Sequence, residues 1–463
     1  MVRADKLNHQ TGHIFYLHIS VLIASMGGFL FGYDTAVISG AILFIKKQFV
    51  VSPFLEGVII SSLFLSAMIG APLGGTIADK IGRKKALIFA SILFLIGSLM
   101  MALAPTIPIL ILGRIITGIG LGTVSITAPL YISELSTSSN RGKMVTFNIL
   151  GITFGALLAY IVNYIFSHDG DWRWMFGLEA LPAFTLMVGM LFLSETPRWL
   201  AIHSLEDKAK SVLQHIRGNQ DINEELSAIE SSIGKHGSGW SELLQPTVRR
   251  ALLLGVGIAF CRGLTGFSII LYGYAPTILE LSGFKIASLA ILATVGIGIV
   301  NTIMTFVTIA LVDRVGRRPL MIIGLIGVIA SLLIMGITFI FDGMNQYVKW
   351  ITIGSLLLYI GSWSLGPRPV FWILISEIYP LKVRARGMSL GSLTNWGTTW
   401  LVTLTFLPLV AFIGKTGVFW VYGFFAIVTL VLFYFLIPET NGESLEKIED
   451  QWRDRKQPKE IAS

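Results

Sequence analysis

Two charged residues stand where charge is expensive. Asp34 lies about twenty residues into the first apolar run of the chain, and Arg114 lies inside the fourth. An isolated charge at that depth in a bilayer-length segment costs at least about 2.5–3.5 kcal/mol, so ionisable groups there mark function by default. Two chemistries fit an acid and an arginine so placed. One is a static ion pair that only holds two segments together. The other is proton exchange: burial favours the neutral acid and the arginine favours the carboxylate. A conformational change that parts them lets Asp34 take or lose a proton.

A second group of charges recurs. Asp79-Lys80-Ile81-Gly82-Arg83-Lys84-Lys85 returns as Asp313-Arg314-Val315-Gly316-Arg317-Arg318-Pro319, each a charged island between long apolar runs. Glu134 precedes Arg141 by seven residues, and Glu377 precedes Arg384 by seven. Ser194-Glu195-Thr196-Pro197, with Arg198 after it, is echoed by Ile437-Pro438-Glu439-Thr440. Three markers repeated in order indicate two copies of one plan. As solvated loop charges they are worth little singly, and Lys84, Lys85 and Arg318 are read that way.

The elements that carry these residues follow from composition. The chain has 463 residues, 54% hydrophobic and 13% charged, far below the roughly 25% charge of soluble domains. Apolar runs fall at about 14–40, 55–78, 86–104, 107–131, 144–167 and 174–194, then at about 251–281, 284–312, 319–341, 348–376, 388–412 and 416–437. Each is near the ~20 residues that cross a bilayer as helix. The expected fold is an all-α membrane protein of about twelve transmembrane helices, as two pseudo-symmetric six-helix bundles in the manner of the major facilitator fold. Residues 1–194 form the first bundle, 195–250 cytoplasmic linker helices, 251–437 the second bundle and 438–463 a cytoplasmic tail. The spacing of Leu205, Ala209, Val212, Leu213 and Ile216 predicts an amphipathic helix in the linker. Lys and Arg crowd the islands on the side of the termini, which places both termini in the cytoplasm of a cell membrane protein.

The net charge of +8 is this loop bias, so it does not indicate nucleic acid. The single cysteine, Cys261, excludes an intrachain disulfide and a Cys-rich metal site. The seven histidines are scattered outside the spans or at their ends, with no nucleophile–base pair, so the chain is not read as an enzyme. No cofactor and no metal are expected. The partners expected are a small-molecule substrate, protons and the lipid bilayer, with the chain acting as a monomer.

The motifs now resemble one family closely. Gly32-Tyr33-Asp34 with Ile38-Ser39-Gly40, Gly113-Arg114, Tyr131-Ile132-Ser133-Glu134, Asn140-Arg141-Gly142, Glu195-Thr196-Pro197-Arg198-Trp199-Leu200 and Pro438-Glu439-Thr440 join the two islands. Together they resemble the sugar porter family of the major facilitator superfamily, over about residues 20–440. The resemblance implies secondary active transport by alternating access, with proton symport of a small sugar-like substrate. It implies that Asp79, Arg83, Glu134, Arg141, Glu195, Arg198, Asp313, Arg317, Glu377, Arg384 and Glu439 form a cytoplasmic gate closed in the outward-facing state. It also agrees with Asp34 and Arg114 as the proton-coupling pair, since proton symporters of this family carry Asp at that place.

The substrate positions depart from the family. Sugar porters read Gln-Gln-x-x-Gly-Ile-Asn in span seven, whereas this chain reads Arg262-Gly263-Leu264-Thr265-Gly266-Phe267-Ser268. The stretch that follows, Ile269 to Pro276 with Tyr272 and Tyr274, is one residue longer than the family pattern. The amide positions of span five fall on Ile149 and Ala156. Before Trp372 the usual Gly-Pro reads Arg368-Pro369, while Asn395 and Trp396 keep the span-eleven pattern. Phe31 and Trp372 are expected as apolar walls on which a ring stacks, and Asn395 as the surviving amide. Two readings of Arg262 and Arg368 stand. Either each pairs with an acid or carbonyl elsewhere or snorkels, or both face the cavity and hold an anionic sugar acid or carboxylate. Apart from Asp34 no acid is assigned to that cavity. A non-transporting membrane sensor is the remaining alternative, disfavoured by the short tail.

Overall fold

The protein is described by a computed structural model covering residues 2–137, 140–218, 222, 223, 225–227, 246–341, 347–372, 379 and 384–436. Of residues 2–14, 246–248, 250, 251, 313, 384, 385 and 436 only the backbone is described. Among the described residues there is helix and no strand. The first nine helices are α1 (Val2–Gln48), α2 (Pro53–Ile81), α3 (Arg83–Ala102), α4 (Ile107–Leu135), α5 (Arg141–Phe166), α6 (Trp172–Gly177), α7 (Ala180–Phe192), α8 (Pro197–Ile202) and α9 (Glu206–Arg217). The later helices are α10 (Pro246–Gly263), α11 (Ala275–Leu281), α12 (Ala287–Val315), α13 (Arg317–Ile340), α14 (Tyr347–Leu365) and α15 (Arg384–Leu436).

Among the described residues ten helices are long and apolar enough to cross a membrane. One of them, Arg386–Phe435, has 50 residues, more than one crossing needs, and breaks at Gly414 with φ 75°. The seventh span is also in pieces: an apolar helix, Leu252–Gly263, then a bend, a short wide turn and α11. Counted so, the pieces make the expected twelve. Outward faces are apolar, with Ile92, Ile96 and Leu99 of α3 and Leu103 just after it all exposed. A helix apolar on its outer face belongs in lipid.

The chain divides into two compact units, Met1–Val51 with Val58–His236, and Ser52–Gly57 with Gly237–Ser463. In the first, α1 packs closely on α5 through two Gly-x-x-x-Gly pairs, Gly28/Gly32 and Gly151/Gly155. A Cβ at Gly32 would collide with the Ile152 carbonyl, and one at Gly155 with the Phe29 carbonyl. Such small-residue stripes let helix backbones meet where lipid offers no hydrophobic drive. The two charged islands are helix–helix corners. Gly82 at φ 107° separates α2 from α3, and Gly316 at φ 96° separates α12 from α13. One residue reverses the chain in each, in a conformation that glycine reaches without strain.

In the linker, α9 buries Ala209, Leu213 and Ile216, as its spacing predicts. Arg217 at its end donates to the Leu135 carbonyl of α4 at 2.8 Å and forks onto Glu225 at 3.0 and 2.8 Å. That pins the helix to the first unit.

Candidate functional site

The first unit buries a charge cluster. Arg114 Nη1 donates to Asp34 Oδ1 at 2.9 Å and to the Asp34 carbonyl at 3.1 Å, while Nη2 donates to the Ile60 carbonyl at 3.2 Å. Both side chains are 0% exposed. The pair therefore joins α1 to α4 with α2 alongside. A third charge stands with it. Glu179, between α6 and α7, is fully buried and within electrostatic reach of both Asp34 and Arg114. Among the described residues neither oxygen of Glu179 has a hydrogen-bond partner. The sequence reading passed over Glu179, although the rule that singles out Asp34, an acid inside an apolar run, applies to it equally.

The first unit also holds the charged corner at the ends of α2, α3, α4 and α8. Arg83 forks onto Glu134 with two 3.1 Å bonds, and Thr196 Oγ1 donates to Glu134 at 2.6 Å. Arg83 reaches Asp79 at 3.1 Å, but Asp79 is 73% exposed, so that pair adds little. Glu195 accepts the backbone N–H of Arg83 at 3.0 Å and of Lys84 at 3.1 Å, capping the start of α3. Gly82 leaves room for this, since a Cβ there would collide with the Glu195 carboxylate. Burial holds the Glu195 carboxyl above the ordinary glutamate range, against the pull of the amides of Thr196, Lys84 and Arg83 and of the Arg83 guanidinium. Arg141 is exposed and donates to the Ser133 carbonyl at 3.2 Å. Among the described residues Arg198 has no ion-pair or hydrogen-bond partner.

In the second unit less of the matching set is on view. Glu377 and Glu439 lie outside the described residues, as do the side chains of Asp313 and Arg384. Arg317 follows the Gly316 corner, and Arg318 donates to the Tyr434 carbonyl at 2.8 Å.

The substrate candidates of the second unit gather around Arg262. Its Nε donates to the Pro367 carbonyl at 3.1 Å and its Nη1 to Asn395 Oδ1 at 2.5 Å. Its guanidinium lies 5.1, 4.9 and 4.3 Å from the ring centres of Phe267, Trp363 and Phe371. Asn395, expected to read a hydroxyl, thus has its oxygen on Arg262. Arg368 donates to Asn301 Oδ1 at 2.8 Å, which also accepts from Ser364 at 2.8 Å. Asn301 is a second residue the sequence reading missed, a lone amide inside the run at 284–312. Tyr274 turns into the core and donates to the Thr403 carbonyl at 3.0 Å; Ser268 meets Thr403 at 3.3 Å. Tyr272 and Trp396 are buried, Phe31 is half-buried, and Trp372 is 38% exposed and edge-on to Phe371.

The extra residue of span seven has a physical home. Tyr274 N donates to the Ile269 carbonyl five residues back at 2.8 Å, closing a π-helical turn over Ile269–Gly273. Such a turn takes up one inserted residue without breaking the helix. The backbone after Trp363 is equally wide, with Arg368 N donating to the Trp363 carbonyl at 3.0 Å.

Comparison with known proteins gives one answer. The family model described as "Sugar (and other) transporter" matches residues 20–452. The putative metabolite transport protein YwtG of Bacillus subtilis is 41% identical, over 93% of this chain and 94% of the relative. The D-xylose transporter of Levilactobacillus brevis is 38% identical, over 95% of each. The galactose-proton symporter of Escherichia coli is 36% identical, over 95% of each. Among solved structures, the inward open conformation of the xylose transporter XylE from E. coli superposes with a TM-score of 0.81 at 30% identity, covering 94% of this chain and 100% of that one.

Proposed function

This chain belongs to the sugar transporter family, and from that premise we propose that it couples the entry of a small sugar to the entry of one proton through Asp34, Arg114 and Glu179. A multi-pass secondary transporter for sugars with the major facilitator fold is what its relatives and structural neighbours are. The observation that carries the proton step is a charge balance. One arginine, buried with two carboxyls, leaves one negative charge over when all are ionised. A single proton makes the cluster neutral, and a neutral cluster is the one a low-dielectric span tolerates. Arg114 holds Asp34 in this state, which leaves Glu179, among the described residues, as the carboxyl without a donor. If the two acids exchange Arg114 as the transporter changes state, the proton changes owner and side. Differential affinity of the two states for the proton then drives the sugar.

The remaining assignments belong to the same proposal. The two units act as six-span halves, 1–194 and 251–437, with the 195–250 linker and the 438–463 tail on the cytoplasmic side with both termini. Within the second unit Trp372 supplies an apolar wall for the sugar ring, with Tyr272 and Trp396 among the substrate-binding residues; in the first unit Phe31 supplies another such wall. The chain works as a monomer, and no catalytic chemistry is assigned to it.

Purified protein in liposomes, with an inward proton gradient and labelled galactose or xylose, tests the proton step. Wild type accumulates sugar above its outside concentration. Asp34→Asn loses accumulation yet still exchanges labelled for unlabelled sugar, and Glu179→Gln loses at least tenfold of the accumulation. Uphill accumulation that survives in Asp34→Asn overturns the assignment.

A further inference from the structure

Two cations meet at one peptide in the second unit. Arg262 donates to the Pro367 carbonyl, and the next residue is Arg368. Arg262 is 3% exposed and Arg368 half-buried. Their side-chain acceptors are the Pro367 carbonyl, Asn395 and Asn301, all neutral. Among the described residues neither has an acidic partner. Neutral acceptors orient a guanidinium but do not cancel its charge, and uncompensated charge in a low-dielectric site is costly. Like charges held close add to that cost.

The shape of the site says which groups remain free. Phe267, Trp363 and Phe371 surround Arg262, and the first two rings stack on each other at 4.8 Å with 7° between their planes. A guanidinium among aromatic rings is left its edge for hydrogen bonds, and each guanidinium carries five N–H donors. Arg262 spends donors at Nε and Nη1, and Arg368 at Nη1. Among the described residues Nη2 of each has no acceptor, nor has Nε of Arg368. An edge of parallel N–H groups matches a carboxylate better than a hydroxyl. The oxygen of the neighbouring amide, Asn395, is already engaged by Arg262, so it is not open to a sugar hydroxyl in this arrangement.

We propose that Arg262 and Arg368 form a carboxylate subsite, and that the substrates of this transporter include monoanionic sugar acids, namely uronates or aldonates. This rests on the sugar–proton symport reading and names the substrate class of that same transporter. It also changes the electrical character of transport. A neutral sugar with one proton carries one positive charge inward. A monoanion with one proton carries none.

The test uses the full chain in liposomes, with D-galacturonate and D-gluconate against D-galactose and D-xylose. Sugar-acid uptake is expected to follow a pH gradient and to ignore a potassium–valinomycin potential, whereas neutral-sugar uptake responds to both. Arg262→Gln is expected to lower galacturonate uptake at least tenfold, with Arg262→Lys between it and wild type. Should Arg262→Gln fail to give monodisperse protein, Arg368→Gln is read in the same way. Sugar-acid uptake unchanged in both variants overturns the subsite. So does uptake of neutral sugars alone, which leaves the symport reading intact. Suppression of sugar-acid uptake by chloride at equal concentration, with no effect of acetate, assigns the site to a small inorganic anion and also overturns it. Absence of proton-driven uptake of either class overturns the symport reading together with the subsite.

Discussion

Glu195 shows how one side chain does two jobs. It caps α3 through the Arg83 and Lys84 amides, and it sits where any Cβ on residue 82 would strike it. Its carboxyl is held above the usual range chiefly by burial. An acid whose folded pKa lies above its unfolded value binds its proton more tightly when folded. Its contribution is therefore fully present below the unfolded pKa, roughly 4.3, and is lost as pH rises through the folded value. Thermal unfolding in detergent between pH 4 and 8 checks this. Glu195→Gln is expected to remove that downward step, so the difference in Tm between wild type and variant changes across the window. A difference that stays flat with pH would show that the amide donors, not burial, set the state of Glu195. The residues at this scale were unevenly legible. Asp34 and Arg114 are conspicuous in sequence because polar groups are rare in apolar runs, and Glu179 follows from the same rule. The partners of Arg262 are not legible, because Asn395 and the Pro367 carbonyl lie far along the chain and only packing brings them together.

At the scale of elements, close helix approach decides the first unit. Gly28/Gly32 and Gly151/Gly155 set α1 against α5 with backbone in contact with backbone. The abundance of glycine is visible in composition, but which glycine faces which helix is a matter of register that hydrophobicity alone leaves open, because these helices are apolar all round. Gly32→Leu is expected to destabilise the protein at the upper end of the ~1–3 kcal/mol of overpacked cores, since the obstacle is a carbonyl that cannot rotate away. Gly75→Leu is the matched control, since nothing lies within 4 Å of a Cβ there. There, loss of glycine from a helix is neutral or favourable by up to about 1 kcal/mol. Equal losses of Tm in both variants would mean that helix contact is not what Gly32 secures. The π-helical turn was half legible in the same way. The extra residue in Ile269–Pro276 shows as length, while its absorption into a wide turn shows only in the Tyr274 to Ile269 hydrogen bond.

For the whole molecule, the family resemblance implies one gate of eleven charges, and the candidates in the first unit fall into two kinds. Arg83, Glu134, Thr196 and Glu195 bond among themselves, tying the ends of α2, α3, α4 and α8 inside one unit. Contacts wholly inside one compact unit do not by themselves distinguish two states between which that unit moves as a body. Arg141 and Arg198 differ. Arg141 has a backbone carbonyl as its side-chain acceptor, and among the described residues neither arginine has a carboxylate. We infer that Arg83 and Glu134 hold the first unit together, and that Arg141 and Arg198 supply the contacts made in one state and absent from the other. Glu134→Gln removes the buried counter-charge of Arg83, leaving only the exposed Asp79, and is expected to cost about 3 kcal/mol of stability. Arg141→Gln and Arg198→Gln are expected to cost under about 1 kcal/mol. Yet those two are expected to move the resting balance of outward and inward accessibility, read by labelling single cysteines placed at either mouth. Labelling unchanged in both arginine variants, with a clear shift in Glu134→Gln, would reverse the assignment and make the buried fork itself the gate.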